Sequence, residues 1–244
     1  MGPTRRVSGL ERLRQGDPDP PWVSSRAGAP DGVGGIDLGR NVDDKSDLLR
    51  QEIVKYDHLF ATNERYNANE QHPRYDIAAK FIERCGDVHL VADIGAGRGL
   101  FLERLQKKGY EVFGVEPSRV AVETLKSPFV VLGTCSAIPY ASDLFDVVVC
   151  LDVLEHIPST LTRESLRELS RVTKAYAIIS VADHEDVVDD LVLHINLRSY
   201  PEWERAIADC FDILDGELLR SKTYPDRTAM VYLCRKSGSS ALER

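Results

Sequence analysis

The residues with the clearest chemical potential form a glycine-rich turn and an acid at the end of the next predicted strand. The turn reads Asp93-Ile-Gly-Ala-Gly-Arg-Gly99, and the acid is Glu116. Glycines let a backbone approach a ligand closely at the open carboxyl end of a sheet. A carboxylate about 20 residues after such a turn can bind both hydroxyls of a ribose. The pair therefore predicts a site for a ligand that contains a ribose.

Two details of the turn argue against a dinucleotide ligand. Leu100 stands where the fingerprint Gly-x-Gly-x-x-Gly requires its third glycine. Asp93 lies inside the turn, where its charge would repel a pyrophosphate but could organise a cationic amino-acid ligand. A glycine-rich turn alone is a weak signal, because nicotinamide and flavin enzymes also have one.

Two histidines follow predicted strands at the edge of the sheet where the turn lies. His156, in Leu154-Glu-His-Ile-Pro158, comes just after the fourth strand, and His194 comes after the fifth. An imidazole with an unperturbed pKa near ~6.5 suits a general base at neutral pH. We expect His156 or His194 to take a proton from a substrate. The alternative for each is an ordinary loop histidine.

Metal and disulfide sites are not expected. The segment Asp183-His-Glu-Asp-Val-Val-Asp-Asp190 gathers oxygen ligands that suit Mg²⁺. Such an acidic run is more often a solvated loop or the start of a helix. The five cysteines are scattered without a Cys-x-x-Cys pair. This pattern indicates reduced thiols in a cytoplasmic protein rather than a zinc site or a disulfide framework.

Alternating apolar and helical patterns predict the elements that position these residues. Strands separated by helices of ~10–15 residues favour an α/β fold with a doubly wound sheet between two helical layers. We expect seven strands, mostly parallel, with one of the last two antiparallel because no helix separates them. Strands are predicted over 88–94, 111–115, 129–132, 145–150, 175–181, 211–219 and 229–235, and helices over 75–84, 100–108, 119–126, 161–173 and 201–208.

Composition divides the chain into regions. The first residues are rich in Gly, Pro and charge, and they bury too little apolar surface to offset their ordering entropy. A helix follows, with Ser46 as its expected N-cap and Asn63-Glu-Arg-Tyr66 as a candidate lid. The predicted regions are a disordered tail (1–41), an N-terminal helical cap (42–86), a ligand-binding domain (87–236) and a flexible C-terminus (237–244).

Charge and hydropathy restrict the partners. The net charge is −8, with 39 acidic and 31 basic residues. An acidic surface repels phosphate backbones, which argues against a nucleic-acid partner. No stretch approaches the ~18 consecutive apolar residues that a membrane-spanning helix needs. We expect a cytoplasmic monomer or homodimer.

Three segments resemble the successive motifs of the class I S-adenosylmethionine-dependent methyltransferases. They are Asp93-Ile-Gly-Ala-Gly-Arg-Gly99, Gly114-Val-Glu-Pro117 and Phe145-Asp-Val-Val-Val-Cys-Leu-Asp-Val-Leu-Glu-His-Ile-Pro158. The resemblance extends from about Tyr75 to Val181, nearly half of the chain. It implies a Rossmann-like methyltransferase fold, S-adenosylmethionine as the cofactor, and methyl transfer as the reaction.

The resemblance also implies roles for single residues. Asp93, Gly95 and Gly97 would flank the methionine part of the cofactor, and Glu116 would bind the ribose. Many relatives have Gly-Asp-Ala after the third strand, whereas this chain has Gly133-Thr-Cys-Ser136, so adenine recognition would depend mainly on the backbone. The implied cofactor-binding set is Asp93, Gly95, Ala96, Gly97, Glu116, Pro117, Thr134, Cys135, Leu151 and Asp152.

The sequence gives less information about the methyl acceptor. A sulfonium methyl is already activated, so alignment of the nucleophile can supply ~7–11 kcal/mol of the catalysis. We expect an oxygen of a small metabolite or sugar, because no extra domain is present to hold a macromolecule. One alternative is an NAD-dependent oxidoreductase with a Rossmann fold, against which Leu100 counts. The other is a catalytically silent methyltransferase-like partner module, against which the intact turn and Glu116 count.

Overall fold

The apolar segments form the predicted strands in a computed structural model that describes residues 45–63, 73–125, 127, 129–221, 224 and 226–238. The strands are β1 (Leu90–Ile94), β2 (Glu111–Glu116), β3 (Val130–Leu132), β4 (Phe145–Leu151), β5 (Thr173–Ala182), β6 (Val187–Val188), β7 (Leu191–Val192), β8 (Phe211–Arg220) and β9 (Thr228–Lys236). The helices are α1 (Lys45–Thr62), α2 (Pro73–Arg84), α3 (Leu100–Lys107), α4 (Arg119–Leu125), α5 (Thr162–Val172) and α6 (Tyr200–Ala208).

The main sheet contains seven of these strands in the order β3-β2-β1-β4-β5-β9-β8. Strands β1 to β5 are parallel, and β9 runs antiparallel between β5 and β8. This arrangement confirms the predicted α/β fold, including the single antiparallel strand among the last two. The chain order reverses beside β1, and ligands of doubly wound sheets bind at such a reversal, outside the carboxyl ends of the strands.

The core explains why the central strands read as continuous apolar runs. Val147, Val148 and Val149 are fully buried, because helices cover both faces of a parallel sheet. On α2 the predicted apolar face packs into the same core, with Phe81 and Ile82 buried. None of the helices in the described residues is long and apolar enough to cross a membrane.

One local prediction is wrong, and another holds only in part. The first helix begins at Lys45, so Ser46 has helical backbone within the first turn and is not the N-cap. In the acidic segment 183–190, residues 183–186 form a loop, as predicted, whereas Val187–Val188 pairs with Leu191–Val192 in a small hairpin that was not predicted. Its turn residues, Asp189 and Asp190, have φ of 49° and 64°, a left-handed conformation that the short polar side chain of Asp tolerates.

Some predicted features lie outside the described residues. They are the tail over 1–41, residues 64–66 of the candidate lid, and residues 239–244 of the C-terminus. The domain boundaries that involve them therefore stay predictions. All five cysteines are described, and all are free thiols.

Asp146 on β4 joins three neighbouring strands at the end of the sheet opposite the carboxyl ends. Its Oδ2 accepts hydrogen bonds from the backbone amides of His89 (3.0 Å) and Leu90 (2.9 Å), and its Oδ1 lies 3.0 Å from Lys174 Nζ on β5. Burial alone would raise the pKa of Asp146, but the amides and Lys174 outweigh it and hold that pKa below its ordinary value.

The variant Asp146→Asn should unfold at a lower temperature than the wild type at pH 7. Loss of the charge weakens the amide contacts, which costs about 1–2 kcal/mol or several degrees in melting temperature. Because the folded pKa is depressed, the contribution is complete above the unfolded value of ~3.9 and is lost as the pH falls through the folded value. Thermal unfolding followed between pH 7 and pH 3 measures the difference.

Asp87→Asn is the matched control, since the Asp87 side chain is 91% exposed just before β1. It should unfold like the wild type throughout this range. Equal destabilisation by both substitutions, or a difference for Asp146→Asn that does not shrink at low pH, would contradict the assignment.

Candidate active site

A cleft of about 810 Å³ lies at the carboxyl ends of β1, β2 and β4. The turn after β1, the end of β2 and the end of β4 supply its floor, and α1 and the segment 184–194 supply its walls. Sites for small ligands span about 300–1,000 Å³, so the cleft is large enough for a cofactor together with a small second molecule.

The glycine turn presents backbone to the cleft. Gly95 and Gly97 have φ of +83° and +53°, which favours glycine at both positions. A Cβ on Gly95 would lie 2.3 Å from Val153 Cγ2, so no larger residue fits there. Among the described residues, a Cβ on Gly97 would meet only Phe60, at 3.6 Å, which leaves space over Gly97 for a ligand.

Glu116 closes the floor of the cleft at the end of β2. Its Oε2 accepts a hydrogen bond from the Gly97 amide (2.7 Å), and its Oε1 accepts one from the Ser118 amide (2.9 Å). The side chain is 4% exposed. Burial and, more weakly, nearby Asp57 raise the pKa of Glu116 to about 7, although the two hydrogen bonds lower it. Each carboxylate oxygen has a second lone pair, so a ligand that donates two hydroxyls fits this position.

Three predicted cofactor residues do not line the cleft. Asp93 is buried behind the turn, where burial and then Glu116 raise its pKa to about 7. Thr134 and Cys135 are also buried; the Thr134 hydroxyl lies 3.3 Å from that of Ser136. The assignments of these three residues stay predictions.

The other predicted site residues all line the cleft. They are Gly95, Ala96, Gly97, Glu116, Pro117, Leu151, Asp152, His156 and His194.

Asp152 is held in a strained conformation at the end of β4. Its φ is 54°, which is uncommon for a residue with a side chain and occurs often at functional sites. The Ser180 hydroxyl donates to Asp152 Oδ1 (2.6 Å) and accepts from its amide (2.9 Å). Arg74 of α2 pairs with Oδ2 at 2.5 Å. Sequence reasoning missed Arg74, since only the fold brings α2 to this strand.

His156 and His194 lie side by side in the cleft wall, with ring centroids 4.7 Å apart. Nδ1 of His156 is 3.0 Å from the Leu193 carbonyl and 2.6 Å from the Tyr56 hydroxyl; Nδ1 of His194 is 2.5 Å from the His184 carbonyl. Because a carbonyl only accepts, we assign the proton to Nδ1 in both rings, which leaves Nε2 as an acceptor.

The environment keeps both rings neutral at pH 7. Burial, and then His194, lower the pKa of His156 to about 4. Burial also lowers the pKa of His194. The ordinary imidazole pKa expected from the sequence therefore does not apply to either ring.

Glu155 lies beneath the two histidines and is fully buried. Its Oε1 accepts a hydrogen bond from the Ala182 amide at 2.9 Å. Its Oε2 has no hydrogen-bond partner among the described residues. Burial, and then Asp152, raise the pKa of Glu155 to about 8.

Helix α1 covers one side of the cleft through contacts that the sequence pattern did not reveal. Asp57 accepts hydrogen bonds from the Ser118 hydroxyl (2.5 Å) and the Val120 amide (3.2 Å). Arg98, in the glycine turn, donates to the Phe60 carbonyl (2.7 Å). Periodicity indicated the helix but could not tell which of its faces meets the cleft.

Comparison with known proteins relates part of the chain to one protein family. A family model described as a methyltransferase domain matches residues 92–181. No curated protein matches the sequence.

The fold resembles three solved structures among others. The N-methyltransferase NodS from Bradyrhizobium japonicum WM9, in complex with S-adenosyl-L-homocysteine, is 13% identical with a TM-score of 0.60, over 76% of this chain and 98% of NodS. A putative methyltransferase from Haloferax volcanii, in complex with the activator Trm112, is 14% identical with a TM-score of 0.58, over 75% and 97%. Magnesium protoporphyrin IX methyltransferase from Synechocystis PCC 6803, with bound S-adenosylmethionine, is 16% identical with a TM-score of 0.51, over 84% and 87%.

The residues present fit S-adenosylmethionine on structural grounds. The open backbone at Gly97 admits a ligand at close range, and Glu116 offers lone pairs to a pair of ribose hydroxyls. The buried acids Asp93 and Glu116 favour a ligand that carries positive charge.

Glu116→Ala should weaken S-adenosylmethionine binding by about 10²-fold or more in a calorimetric titration. Each charge-assisted hydrogen bond to a carboxylate is worth about 1.5–3 kcal/mol, and 1.4 kcal/mol is a factor of ten in affinity. Circular dichroism should show a retained fold. Glu111→Ala, at the exposed start of the same strand, should bind normally. Unchanged affinity in Glu116→Ala would remove this carboxylate from the site.

Proposed function

We propose that this chain is a class I S-adenosylmethionine-dependent methyltransferase that takes S-adenosylmethionine as its cofactor and methylates an oxygen atom of a small metabolite or sugar. The methyltransferase-domain match over residues 92–181 and the shared fold support the family. The observation that carries the proposal is the pair of neutral imidazoles in the wall of the cleft. A hydroxyl acceptor must lose its proton as it is methylated, and His156 and His194 offer acceptor nitrogens where that proton would leave.

The size of the cleft supports a small acceptor. Its 810 Å³ must hold the cofactor and the acceptor together. Helix α1 and the β6–β7 hairpin border the same space, and Asn63 at the end of α1 donates to Asp189 in the hairpin turn (2.8 Å). A contact between these two walls leaves little room for a polymer to enter from that side.

The chain's own residues have four tasks in the reaction. When bound, S-adenosylmethionine supplies a methyl group on a positively charged sulfur, which is activated for displacement. The glycine turn and Glu116 bind and orient the cofactor, and the aromatic residues Tyr56 and Phe60 of α1 exclude water. Asp152 is held at the boundary between cofactor and acceptor by Ser180 and Arg74.

Methylation of a hydroxyl also releases a proton, which a group in the cleft must accept. The oxygen–carbon bond forms as the carbon–sulfur bond breaks, and the electron pair of the broken bond stays on sulfur. The hydroxyl proton passes to an Nε2 in the wall, of which we favour that of His156. Its loop directly follows the strand that presents Leu151 and Asp152 to the cleft.

The cysteines indicate the cellular compartment, and the net charge restricts the kind of acceptor. We place the enzyme in a reducing compartment such as the cytoplasm, since its five cysteines are unpaired and three of them are buried. The net charge of −8 disfavours nucleic acid as the acceptor. A monomer or homodimer is the proposed assembly.

Metabolite extracts incubated with the enzyme and methyl-labelled S-adenosylmethionine should yield a labelled small molecule whose new methyl is an ether or an ester. With that acceptor, His156→Ala or His194→Ala should lower turnover by about 10²-fold or more while S-adenosylmethionine affinity stays nearly intact. His58→Ala, an exposed histidine on α1, is the control and should turn over normally.

Mass spectrometry and NMR of the product identify the methylated atom. Label on nitrogen, carbon or sulfur, or label confined to macromolecules, would contradict the proposed acceptor. Normal turnover in both single variants and in the double variant would contradict the role of the histidines.

A further inference from the structure

A group of metal-ligating side chains lies at the cleft wall, where His156 and His194 line the cleft and Glu155 is buried next to them. Among the described residues, Glu155, His156 and His194 each offer one ligand atom within 4.8 Å of the other two. Metal–ligand bonds of 2.0–2.2 Å would require these atoms to move together by about 1 Å, which small side-chain rotations allow. The acidic segment 183–190, whose oxygen ligands would suit Mg²⁺ but where no metal site was expected, forms no such group within the described residues.

The two imidazoles are oriented as metal ligands are. A ligating histidine almost always donates its other ring N–H to a carboxylate, a backbone carbonyl or water, which fixes the tautomer and the ring. Here Nδ1 of His156 faces the Leu193 carbonyl at 3.0 Å, and Nδ1 of His194 faces the His184 carbonyl at 2.5 Å. Both Nε2 atoms are therefore free of the proton that would prevent coordination.

The third ligand, Glu155, has one oxygen that is hydrogen-bonded and one that is not, within the part of the chain that the structure describes. Glu155 is fully buried, its Oε1 is held by the Ala182 amide, and its Oε2 has no hydrogen-bond partner among the described residues. A buried carboxylate oxygen without a hydrogen-bond partner destabilises the folded protein. A cation between Glu155 and the imidazoles would remove that cost.

The backbone fixes the relative position of the ligands. The amides of Ile195 and Asn196 both donate to the Glu155 carbonyl, at 3.0 Å each. The Asn196 side-chain amide donates to the Leu154 carbonyl at 2.8 Å. Segments 154–156 and 194–196 are therefore bonded to each other directly, and the side chains converge on a rigid frame rather than on a flexible loop.

We propose that Glu155, His156 and His194 bind a divalent transition-metal ion such as Zn²⁺ at the edge of the cofactor cleft. Two imidazoles and one carboxylate favour such an ion over Mg²⁺, which prefers oxygen ligands and retains its water. Three protein ligands leave at least one coordination position open, as in catalytic rather than structural metal sites.

The open position suggests what the metal would do. On the proposed function, the metal would bind the acceptor hydroxyl, lower the pKa of that hydroxyl so that its proton passes to water, and orient the oxygen toward the methyl group. The histidines would then hold the metal instead of accepting the proton themselves. That step rests on the proposed function, whereas metal binding itself does not. The acceptor would then carry an oxygen able to coordinate a metal ion, as a vicinal diol does.

The full chain, stripped with a chelator and dialysed, should bind one Zn²⁺ per chain in a calorimetric titration and bind Mg²⁺ far more weakly. Glu155→Gln keeps the Oε1 acceptor for Ala182 and replaces only the unpartnered oxygen. It should lower the affinity for Zn²⁺ by more than ~100-fold, since even outer-shell partners of metal ligands cost 10–100-fold. His194→Ala should do the same, which provides a second test if one variant does not fold.

Two controls separate this site from surface binding and from the cofactor site. His58→Ala should bind Zn²⁺ like the wild type, and so should Glu116→Ala. The metal site would be overturned if the wild-type protein did not bind one Zn²⁺ per chain. It would also be overturned if Glu155→Gln and His194→Ala folded and bound Zn²⁺ normally. A methylated small-molecule product with no metal bound would overturn the metal site and leave the proposed function intact. Stoichiometric Zn²⁺ without any oxygen-methylated product would leave the metal site intact and overturn the proposed function.

Discussion

The hydrogen bond from the Gly97 amide to the Glu116 carboxylate joins the two turns on which the cleft is built. It depends on the parallel pairing of β1 with β2, which places Ile94 opposite Val115. The amides of Gly95 and Ala96 donate to the Val115 carbonyl at 2.8 and 3.1 Å, so the turn continues the sheet without a break. The open backbone at Gly97 and the carboxylate of Glu116 therefore face one space, and the remaining walls are arranged around them.

The acidic side chains buried around that space destabilise the folded protein. Asp93, Glu116 and Glu155 are all nearly or fully buried, and burial raises the pKa of each. A protein selected for stability alone would not bury three carboxylates with so few cations beside them. A positively charged cofactor, ribose hydroxyls and a metal ion would each offset part of that cost. Ligand binding would therefore stabilise the ionised form of these carboxyl groups.

The sequence predicted the elements well because their signals are local. Apolar runs such as Val147–Val149, and the helical spacing of Phe81 and Ile82, depend on burial that holds along one segment. The glycine turn and Glu116 were found because a close backbone approach requires particular residue types. The position of the antiparallel strand followed from the absence of a helix between the last two strands.

The remaining features depend on contacts between segments distant in the chain. Arg74 reaches Asp152 only because α2 crosses the sheet near the end of β4. The sequence singled out Glu155 only as part of a motif, because its proximity to His194 depends on backbone hydrogen bonds between segments 154–156 and 194–196. The hairpin after β5 depends on two aspartates in a left-handed conformation, which a count of acidic residues suggests only as a solvated loop.

A crystal structure of the protein with S-adenosylhomocysteine tests the account most directly. The ribose hydroxyls should lie within hydrogen-bond distance of the Glu116 carboxylate, with the amino-acid end of the ligand against the backbone of Gly95 and Gly97. His156 and His194 should border the space on the sulfur side of the ligand. A ligand bound elsewhere, or bound in this cleft with its ribose away from Glu116, would contradict the account.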